Sequence, residues 1–303
     1  MARGRSKPTV VNNQLHYSLV NGVQYIDIFR DLSAINRKLI RQGRIAYITD
    51  MTYFIQSGTT GNGGSLFVTA LPNDWVTNNA WKKAQAHWLA QQRDTRKLVG
   101  QSGKPTWEDF KVYYDASHRT GTTLAVPGLS YGEWVYSKMV YDDGSLREPN
   151  CHVQGDDVAA TDVGLVLNYQ KSRATVQVSD PELPDEYSHN VYAYMAEAEN
   201  DVADEIAQNM EYDNDQAPYD QNDYPGNDSN IVVGNYNLMV CQASQLAKDH
   251  SNSVICAPLG LLKLTHTGIA AADGSAATAP TASLSFRIAY GNYKGLAAPT
   301  FGQ

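Results

Sequence analysis

Short stretches of alternating apolar and polar residues, separated by turns rich in glycine, asparagine and proline, dominate this sequence. A two-residue period places successive side chains on opposite faces of a strand, and the turn residues end each strand after a few positions. Strands are predicted at residues 15–29, 45–56, 66–71, 107–114, 134–141, 163–169, 174–178, 231–242, 254–257, 261–267 and 282–290. Because these strands do not alternate with helices, a doubly wound parallel sheet is disfavoured. We therefore predict a mainly β protein, an antiparallel β-sandwich.

The first predicted strand region contains a strong turn signal. Asn21 and Gly22 lie in its middle, and this dipeptide favours a tight hairpin between two antiparallel strands. Further along, Ser33 is predicted to cap a short helix over residues 34–42, which Gly43 would end. The sequence thus predicts a hairpin followed by a helix.

A second helix is predicted over residues 77–92, with Thr77 as its cap. Trp81, Ala84 and Trp88 recur at helical spacing, so we expect them to form one apolar face that packs on the rest of the protein. The jelly roll is the sandwich that commonly carries helices and long loops between its strands. A single jelly roll with inserted short helices and long loops is therefore the expected fold.

Length and cysteine usage exclude several classes of protein. The chain has 303 residues, and none of its apolar runs reaches the ~18 residues that cross a bilayer, so no membrane association is predicted. Three cysteines, Cys151, Cys241 and Cys256, are too few and too scattered for a disulfide framework or a zinc site. We expect three buried thiols.

Charge is distributed unevenly along the chain. Residues 1–120 hold 16 Lys and Arg against 8 Asp and Glu, whereas residues 121–303 hold 8 against 24. The extreme is an acidic insertion at about 180–230, with 15 acidic residues and no Lys or Arg. Such segregation suits a subunit with one surface facing a polyanion, and equally a soluble protein with one acidic insertion. No dedicated cofactor or metal site is predicted, although acidic subunit contacts would suit a divalent cation such as calcium.

Two groups of basic residues are candidates for nonspecific contact with nucleic acid. A short basic arm at residues 1–14 precedes the main domain, residues 15–303, and is predicted to point toward nucleic acid because its cations have no acid nearby. The candidate residues are Arg3, Arg5 and Lys7 in the arm, and Arg37, Lys38, Arg41 and Arg44 beyond it.

One motif points to catalysis. Residues 128–132, with the sequence GLSYG, match the G-x-S-x-G turn that exposes the nucleophile of serine hydrolases. That turn needs a strand before the serine and a helix after it, whereas Pro127 interrupts the approach and residues 133–141 have a strand pattern. No catalytic residue is predicted, and a serine hydrolase built around Ser130 stays as an alternative.

Four stretches together suggest a family. They are NAWKKA at 79–84 with Trp88 one turn later, WEDFKVY at 107–113, APLGLLKL at 257–264 and GNYKGLAAP at 291–299. In that order they resemble capsid proteins of circular Rep-encoding single-stranded DNA viruses, including smacovirus-like groups. Such proteins often begin with a long Arg/Lys arm, whereas this arm holds only three cations.

The resemblance implies a structural protein of the virion and no enzyme. Copies of the chain would self-assemble into an icosahedral shell of roughly 60 or more subunits, enclosing single-stranded DNA. A non-enzymatic β-sandwich module that binds a basic partner through its acidic region is the remaining alternative.

Overall fold

The computed structural model of the protein describes most of the chain outside its acidic region. The described residues are 11–55, 64–99, 107–128, 134–140, 144–151, 162–166, 168–169, 236–243, 248–251, 255–268 and 279–302. The helices there are α1 (Ile28–Asn36), α2 (Trp75–Val99) and α3 (Ala116–Thr120). The strands are β1 (Gln14–Leu19), β2 (Gly22–Asp27), β3 (Ile45–Ile55), β4 (Gly64–Ala70), β5 (Thr122–Thr123), β6 (Met139–Val140), β7 (Leu146–Asn150), β8 (Asp162–Gly164), β9 (Tyr236–Ala243), β10 (Lys248–Ser251), β11 (Ile255–Pro258), β12 (Leu261–Gly268), β13 (Ala282–Ile288), β14 (Tyr290–Gly291) and β15 (Gly295–Leu296).

Within those ranges, two five-stranded sheets form the body of the protein. The first sheet has the order β1-β13-β3, with β10 and β11 pairing with successive parts of β3. The second sheet has the order β5-β2-β12-β4-β9. All of these pairs are antiparallel except β2 with the two-residue strand β5. The prediction of a mainly β fold with antiparallel sheets is therefore confirmed.

The pairing of the strands is nested along the chain. β1 pairs with β13, β2 with β12, β3 with β10 and β11, and β4 with β9. Successive pairs belong alternately to the first and the second sheet. Two further contacts, β13 with β3 and β12 with β4, join these pairs into sheets. The chain thus forms one long antiparallel hairpin whose successive pairs are divided between two sheets.

Side chains from both sheets meet in one hydrophobic core. Alternate residues of β1 are buried, as the two-residue period predicts. The core includes Leu15, Tyr17, Ile48, Tyr53, Leu284 and Phe286 from the first sheet, and Ile26, Leu66, Val68, Leu262 and Leu264 from the second. A polar contact also links the sheets, because the Tyr53 hydroxyl lies 2.9 Å from Nε2 of His266. Burial of these apolar faces is the main force that holds the sheets together.

The predicted hairpin at Asn21 and Gly22 is wrong. β1 and β2 flank this turn but do not pair, since β1 lies in the first sheet and β2 in the second. Gly22 has a φ of 110°, a backbone conformation that glycine adopts without strain. The turn signal is therefore real, but it marks a crossing between sheets.

The first helix begins and ends earlier than predicted. α1 is capped by Asp27, whose carboxylate accepts a hydrogen bond from the Arg30 amide at 3.1 Å. It ends at Asn36, and Arg37 takes the left-handed conformation with a φ of 50°. Ser33, the predicted cap, lies inside the helix and binds the amide of Ile40 through its hydroxyl at 2.8 Å. An aspartate with the right backbone geometry replaces the serine as cap, and the residues after 36 form a loop.

The second helix is confirmed, although it is longer than predicted and begins earlier. The Asp74 carboxylate accepts a hydrogen bond from the Thr77 amide at 2.7 Å, so Asp74 and not Thr77 caps the first turn. Trp81, Ala84 and Trp88 are buried in a second hydrophobic cluster. Their apolar face packs against Phe110, whose ring centroid lies 5.6 Å from that of Trp88.

Three other predicted strands are mostly wrong. In 107–114 only Tyr113 forms a β-bridge, with Asn150. In 134–141 only β6 is a strand, and in 163–169 the short strand β8 is followed by helical residues. In the 107–114 segment, side chains satisfy part of the backbone, because the Val112 amide donates to Oε1 of Gln42 at 2.6 Å and the Lys111 amide to the Ser137 hydroxyl at 2.9 Å. The backbone of Tyr113, by contrast, bonds to that of Pro149 and Cys151. The predicted strand at 174–178 lies outside the described residues.

The six other strand predictions are confirmed to within a few residues, except that residues 231–235 of the predicted strand 231–242 lie outside the described residues. They correspond to β3, β4, β9, β11, β12 and β13. Each of these strands belongs to one of the two main sheets. Strand patterns were therefore reliable for the strands of the two main sheets.

We predict that Trp88→Ala destabilises the protein by about 3–5 kcal/mol, because it removes a large ring from a packed cluster. Trp88 is only 7% exposed. The free energy of unfolding from guanidinium denaturation measures the effect. His87→Ala, an exposed position on the same helix, is the control and should change stability by less than about 0.5 kcal/mol. Equal stability of Trp88→Ala and wild type would contradict the packing role.

Candidate nucleic-acid interface

The four basic residues predicted beyond the arm lie in and around the loop that follows α1. This loop is fixed by its own backbone contacts, because the Arg37 and Lys38 amides both donate to the carbonyl of Ser33. Ile40 is fully buried and anchors the middle of the loop in the core. The basic side chains around it are therefore held on a rigid support.

Gln42 ties the same loop to the rest of the protein. Its buried amide group donates to the Val112 carbonyl at 3.1 Å and accepts from the Val112 amide at 2.6 Å. The amide nitrogen also donates to Oδ2 of Asp27 at 3.2 Å. In addition, the backbone amide of Gln42 donates to the Asp109 carboxylate at 3.0 Å. One residue thus connects the basic loop to the start of α1 and to the segment around residue 110.

Asp27 is the buried acceptor on which several segments converge. Its Oδ2 accepts from Trp134 Nε1 at 3.1 Å and from the Tyr136 hydroxyl at 3.2 Å, besides Gln42. Burial raises the pKa of Asp27 to about 6, and the nearby Arg30 only partly offsets this. The group is therefore ionised at neutral pH and becomes protonated in mildly acidic solution.

Arg41 and Arg44 are engaged in contacts within the protein. The Arg41 guanidinium donates to the Glu108 carbonyl and lies 3.4 Å from the Asp109 carboxylate. Burial raises the pKa of Asp109, while the Gln42 amide and Arg41 act in the opposite direction. Arg44 donates to the Ala298 carbonyl at 2.7 Å. These two residues hold segments of the chain together, although Arg41 is still exposed on its outer side.

Tyr293 is the centre of the contact between the loop and the C-terminal hairpin β14–β15. The Arg44 guanidinium lies 3.3 Å from the centroid of the Tyr293 ring, a favourable cation–π arrangement. The Tyr293 hydroxyl accepts from the Arg41 amide at 3.2 Å. The hairpin is therefore packed directly against the basic loop.

Arg37 and Lys38 differ from Arg41 and Arg44 in having no ion pair with any residue in the described part of the chain. Arg37 is exposed and Lys38 is half-buried. A further cation joins them, because the ammonium of Lys294 donates to the carbonyl of Leu39. We call Arg37, Lys38, Arg41 and Lys294 the basic surface.

Lys294 was not among the residues predicted from the sequence. In the sequence, Lys294 was noted only as part of the stretch GNYKG. That stretch contributes to the family resemblance, but no function was assigned to it. Its contact with Leu39 results from the docking of a hairpin more than 250 residues away along the chain. Sequence spacing contains no sign of this contact.

The base of the arm lies beside the basic surface. The Asn12 amide donates to Oδ1 of Asn36 at 2.8 Å, and Nδ2 of Asn36 donates to the Asn12 carbonyl at 2.9 Å. Asn36 directly precedes Arg37. Arg3, Arg5 and Lys7 lie outside the described residues.

The other predicted sites are only partly described. Ser130 and the acidic insertion at 180–230 lie outside the described residues. No group of three His, Cys, Asp or Glu side chains that could hold a metal ion is found in the part that is described. Cys151 is buried as predicted, and burial raises the pKa of its thiol. The prediction for Cys256 is wrong, because this residue points outward from β11 while its neighbours in the strand are buried.

Two buried histidines have structural roles. The Tyr114 amide donates to Nδ1 of His118 at 3.1 Å, and Nε2 of His118 lies 3.1 Å from the Thr123 hydroxyl. Burial lowers the pKa of His118 to about 4. His266 contacts the Tyr53 hydroxyl and lies 3.3 Å from the Val20 carbonyl. Both ring nitrogens of each histidine are therefore occupied.

Comparisons with protein-family models, with curated proteins and with solved structures found no match for this chain. No helix within the described ranges is long and apolar enough to cross a membrane. The family resemblance therefore rests on the four sequence stretches alone.

We predict that Asp27 makes the folded state less stable as the pH rises from about 4 to about 6. Its pKa is about 6 in the folded protein against an ordinary value of 3.8, so across this range the folded state binds more protons than the unfolded state. The free energy of unfolding attributable to Asp27 should fall by roughly 3 kcal/mol over that interval and stay constant above it.

The measurement is the difference in unfolding free energy between wild type and Asp27→Asn at several pH values. We expect Asp27→Asn to be less stable throughout, and the difference to shrink as the pH rises. Asp94→Asn, which changes an exposed carboxylate on α2, is the control and should parallel wild type. Parallel profiles for wild type and Asp27→Asn would show that Asp27 does not titrate in this range.

Proposed function

We propose that this protein is a non-enzymatic viral capsid subunit with a single jelly-roll domain. Copies of it self-assemble into an icosahedral shell that encloses a small single-stranded DNA genome. The nested strand pairing is the observation that carries this proposal. The basic surface beside the base of the arm supports the contact with the genome.

The nested pairing supports a jelly roll. A jelly roll is an eight-stranded antiparallel hairpin rolled into two facing sheets, so that its strands pair first with last, second with second to last, and so on. The protein follows this rule when β10 and β11 are counted as one interrupted strand. Its pairs are then β1–β13, β2–β12, β3–β10/β11 and β4–β9. The added contacts β13–β3 and β12–β4 are those that rolling produces.

The fold alone does not decide the function, because jelly rolls also occur in lectins and cupins. A capsid subunit differs from these in needing a surface that faces phosphate. Arg37 and Lys38 supply positive charge without a competing acid in the described residues, and the arm begins next to them. We propose that this side of the subunit faces the interior of the shell.

The acidic insertion at 180–230 belongs on the opposite side in this proposal. Fifteen carboxylates without a compensating cation would repel packaged phosphate at close range. They would therefore face outward or lie at contacts between subunits. A divalent cation such as calcium would reduce the repulsion between carboxylates that meet there.

The alternatives receive less support. The nucleophile turn of a serine hydrolase needs a helix after the serine, whereas residues 134–138 are not helical and Met139–Val140 form a strand. A monomeric binding module would have the same fold but would not assemble.

Particle size separates the capsid from both alternatives. We predict that the purified full chain forms particles of roughly 60 or more subunits, visible by negative-stain electron microscopy and eluting in the void volume of a gel-filtration column. Light scattering gives the mass. A monomer or small oligomer across a range of salt and protein concentrations would overturn the capsid proposal.

We predict that deleting residues 2–7 leaves particles that still form but contain less nucleic acid. Three cations are lost, and phosphate contacts of this kind are nonspecific. The ratio of absorbance at 260 nm to that at 280 nm in purified particles measures the packaged nucleic acid. Replacing Arg3, Arg5 and Lys7 by Gln keeps the length of the arm and should lower the ratio equally.

Two other outcomes would assign the arm differently. An unchanged ratio in both variants would mean that the arm does not package the genome. Failure of the deletion to assemble, with normal assembly of the Gln variant, would make the arm a structural tie between subunits.

A further inference from the structure

Two exposed aromatic side chains belong to the segments that border the basic surface. Trp107 and Tyr290 are 63% and 65% exposed, and they are the only aromatic residues more than half exposed among the large hydrophobic side chains that the structure describes. Exposure alone identifies no ligand, because single exposed apolar side chains are common on protein surfaces. These two rings, however, belong to segments that border a group of cations, and that combination indicates what they bind.

Trp107 is connected to the basic surface through the next residue in the chain. The carbonyl of Glu108 accepts a hydrogen bond from the guanidinium of Arg41. Asp109, one residue further, is the ion-pair partner of Arg41. The indole of Trp107 therefore belongs to a segment that is attached to one side of the basic surface.

Tyr290 lies on the hairpin that carries Lys294. In β14–β15, Gly291 pairs directly with Gly295, and Tyr290 and Lys294 each lie one residue from this pair. Their Cα atoms are consequently at most about 13 Å apart. Since Lys294 contacts the loop at Leu39, Tyr290 belongs to the other segment that borders the basic surface.

Two acids next to this surface, Glu108 and Asp109, have cationic partners. Asp109 pairs with Arg41, and the Glu108 carboxylate pairs with Arg96. A bound polyanion would thus meet cations and aromatic rings with little repulsion. Exposed rings interleaved with cations are the arrangement that binds unpaired nucleic acid, because bases stack on the rings while cations follow the phosphates.

We propose that the basic surface, together with Trp107 and Tyr290, binds single-stranded nucleic acid by base stacking and discriminates against duplex. Arg37, Lys38, Arg41 and Lys294 contact phosphates, and the two rings stack on unpaired bases. In a duplex the bases are stacked on each other and are not available to the rings. This inference rests on the proposed packaging of a genome, and it adds which form of nucleic acid is bound and by which residues.

The experiment compares the affinity of the full chain for a fluorescein-labelled oligo(dT) of about 20 nucleotides and for a duplex of equal length. Anisotropy is measured over a range of salt concentrations and at protein concentrations below those of assembly. The aromatic variants are Trp107→Ala and Tyr290→Ala. Tyr290→Phe retains the ring, and Leu146→Ala removes an equally exposed apolar side chain from β7 as a control.

We expect each aromatic-to-alanine variant to weaken binding of oligo(dT) by at least about fivefold and binding of the duplex by less than twofold. The dependence of log K on log salt should stay the same, because no phosphate contact is lost. Tyr290→Phe and Leu146→Ala should bind like wild type. The triple variant Arg37→Gln, Lys38→Gln and Lys294→Gln should weaken both ligands and reduce the salt dependence.

The outcomes separate this inference from the function on which it rests. If the charge variant loses affinity but the aromatic variants bind oligo(dT) as wild type does, the stacking inference is overturned and the phosphate surface stands. If wild type binds duplex as tightly as oligo(dT), the discrimination is overturned. If wild type binds neither ligand at low salt, the packaging role itself fails.

Discussion

A single buried carboxylate, that of Asp27, holds together the segments that carry the candidate interface. It accepts hydrogen bonds from the Arg30 amide, Gln42, Trp134 and Tyr136. An ionised carboxylate has about four acceptor sites and no donor, so it can serve four donors at once. An amide could not, because half of its hydrogen-bonding groups are donors. The start of α1, the basic loop and residues 134–136 therefore depend on one acid that burial makes costly to ionise.

The long-range pairing of the strands adds a second constraint. β13 lies between β1 and β3, and β12 lies between β2 and β4. Both sheets consequently need strands from near the end of the chain as central members. The hairpin β14–β15 follows β13 at once, and it brings Tyr293 and Lys294 onto the loop around Leu39. The basic surface thus exists only when the last strands have closed the two sheets, a non-local step that is expected to be slow.

The sequence predicted those parts of the structure in which a local pattern and the tertiary environment agree. The core buries one face of β3, β12 and β13, and their sequences show the matching alternation. It also buries the helical stripe that contains Trp81 and Trp88. The turn at Asn21 was misassigned because a turn signal does not say which strand its neighbours pair with. Val112 was misassigned to a strand because the side chain of Gln42, distant in sequence, satisfies both of its backbone groups. Both errors therefore concern contacts with residues far away along the chain, which a local sequence pattern does not contain.

At the candidate site, too, the sequence did not show which partners each residue has. Four cations within eight residues were treated as equivalent, yet the structure divides them by their partners. Arg44 is stacked on Tyr293 and bonded to Ala298, so a phosphate could recruit it only by loosening the hairpin. Arg41 is different, because its side chain is 47% exposed and 3.4 Å from Asp109, a long and partly solvated ion pair that contributes little stability.

A phosphate that approaches Arg41 can therefore share its guanidinium without breaking the fold. Its planar group presents several donors at once, and Asp109 uses only one side of it. Arg37 directly follows Asn36, whose side chain is bonded to the backbone of Asn12 where the arm joins the domain. Arg37 and Lys38 have no ion pair with any described residue, whereas Arg41 is shared with Asp109. In the proposed interface, phosphate contacts at Arg37 and Lys38 should therefore be stronger than the contact at Arg41.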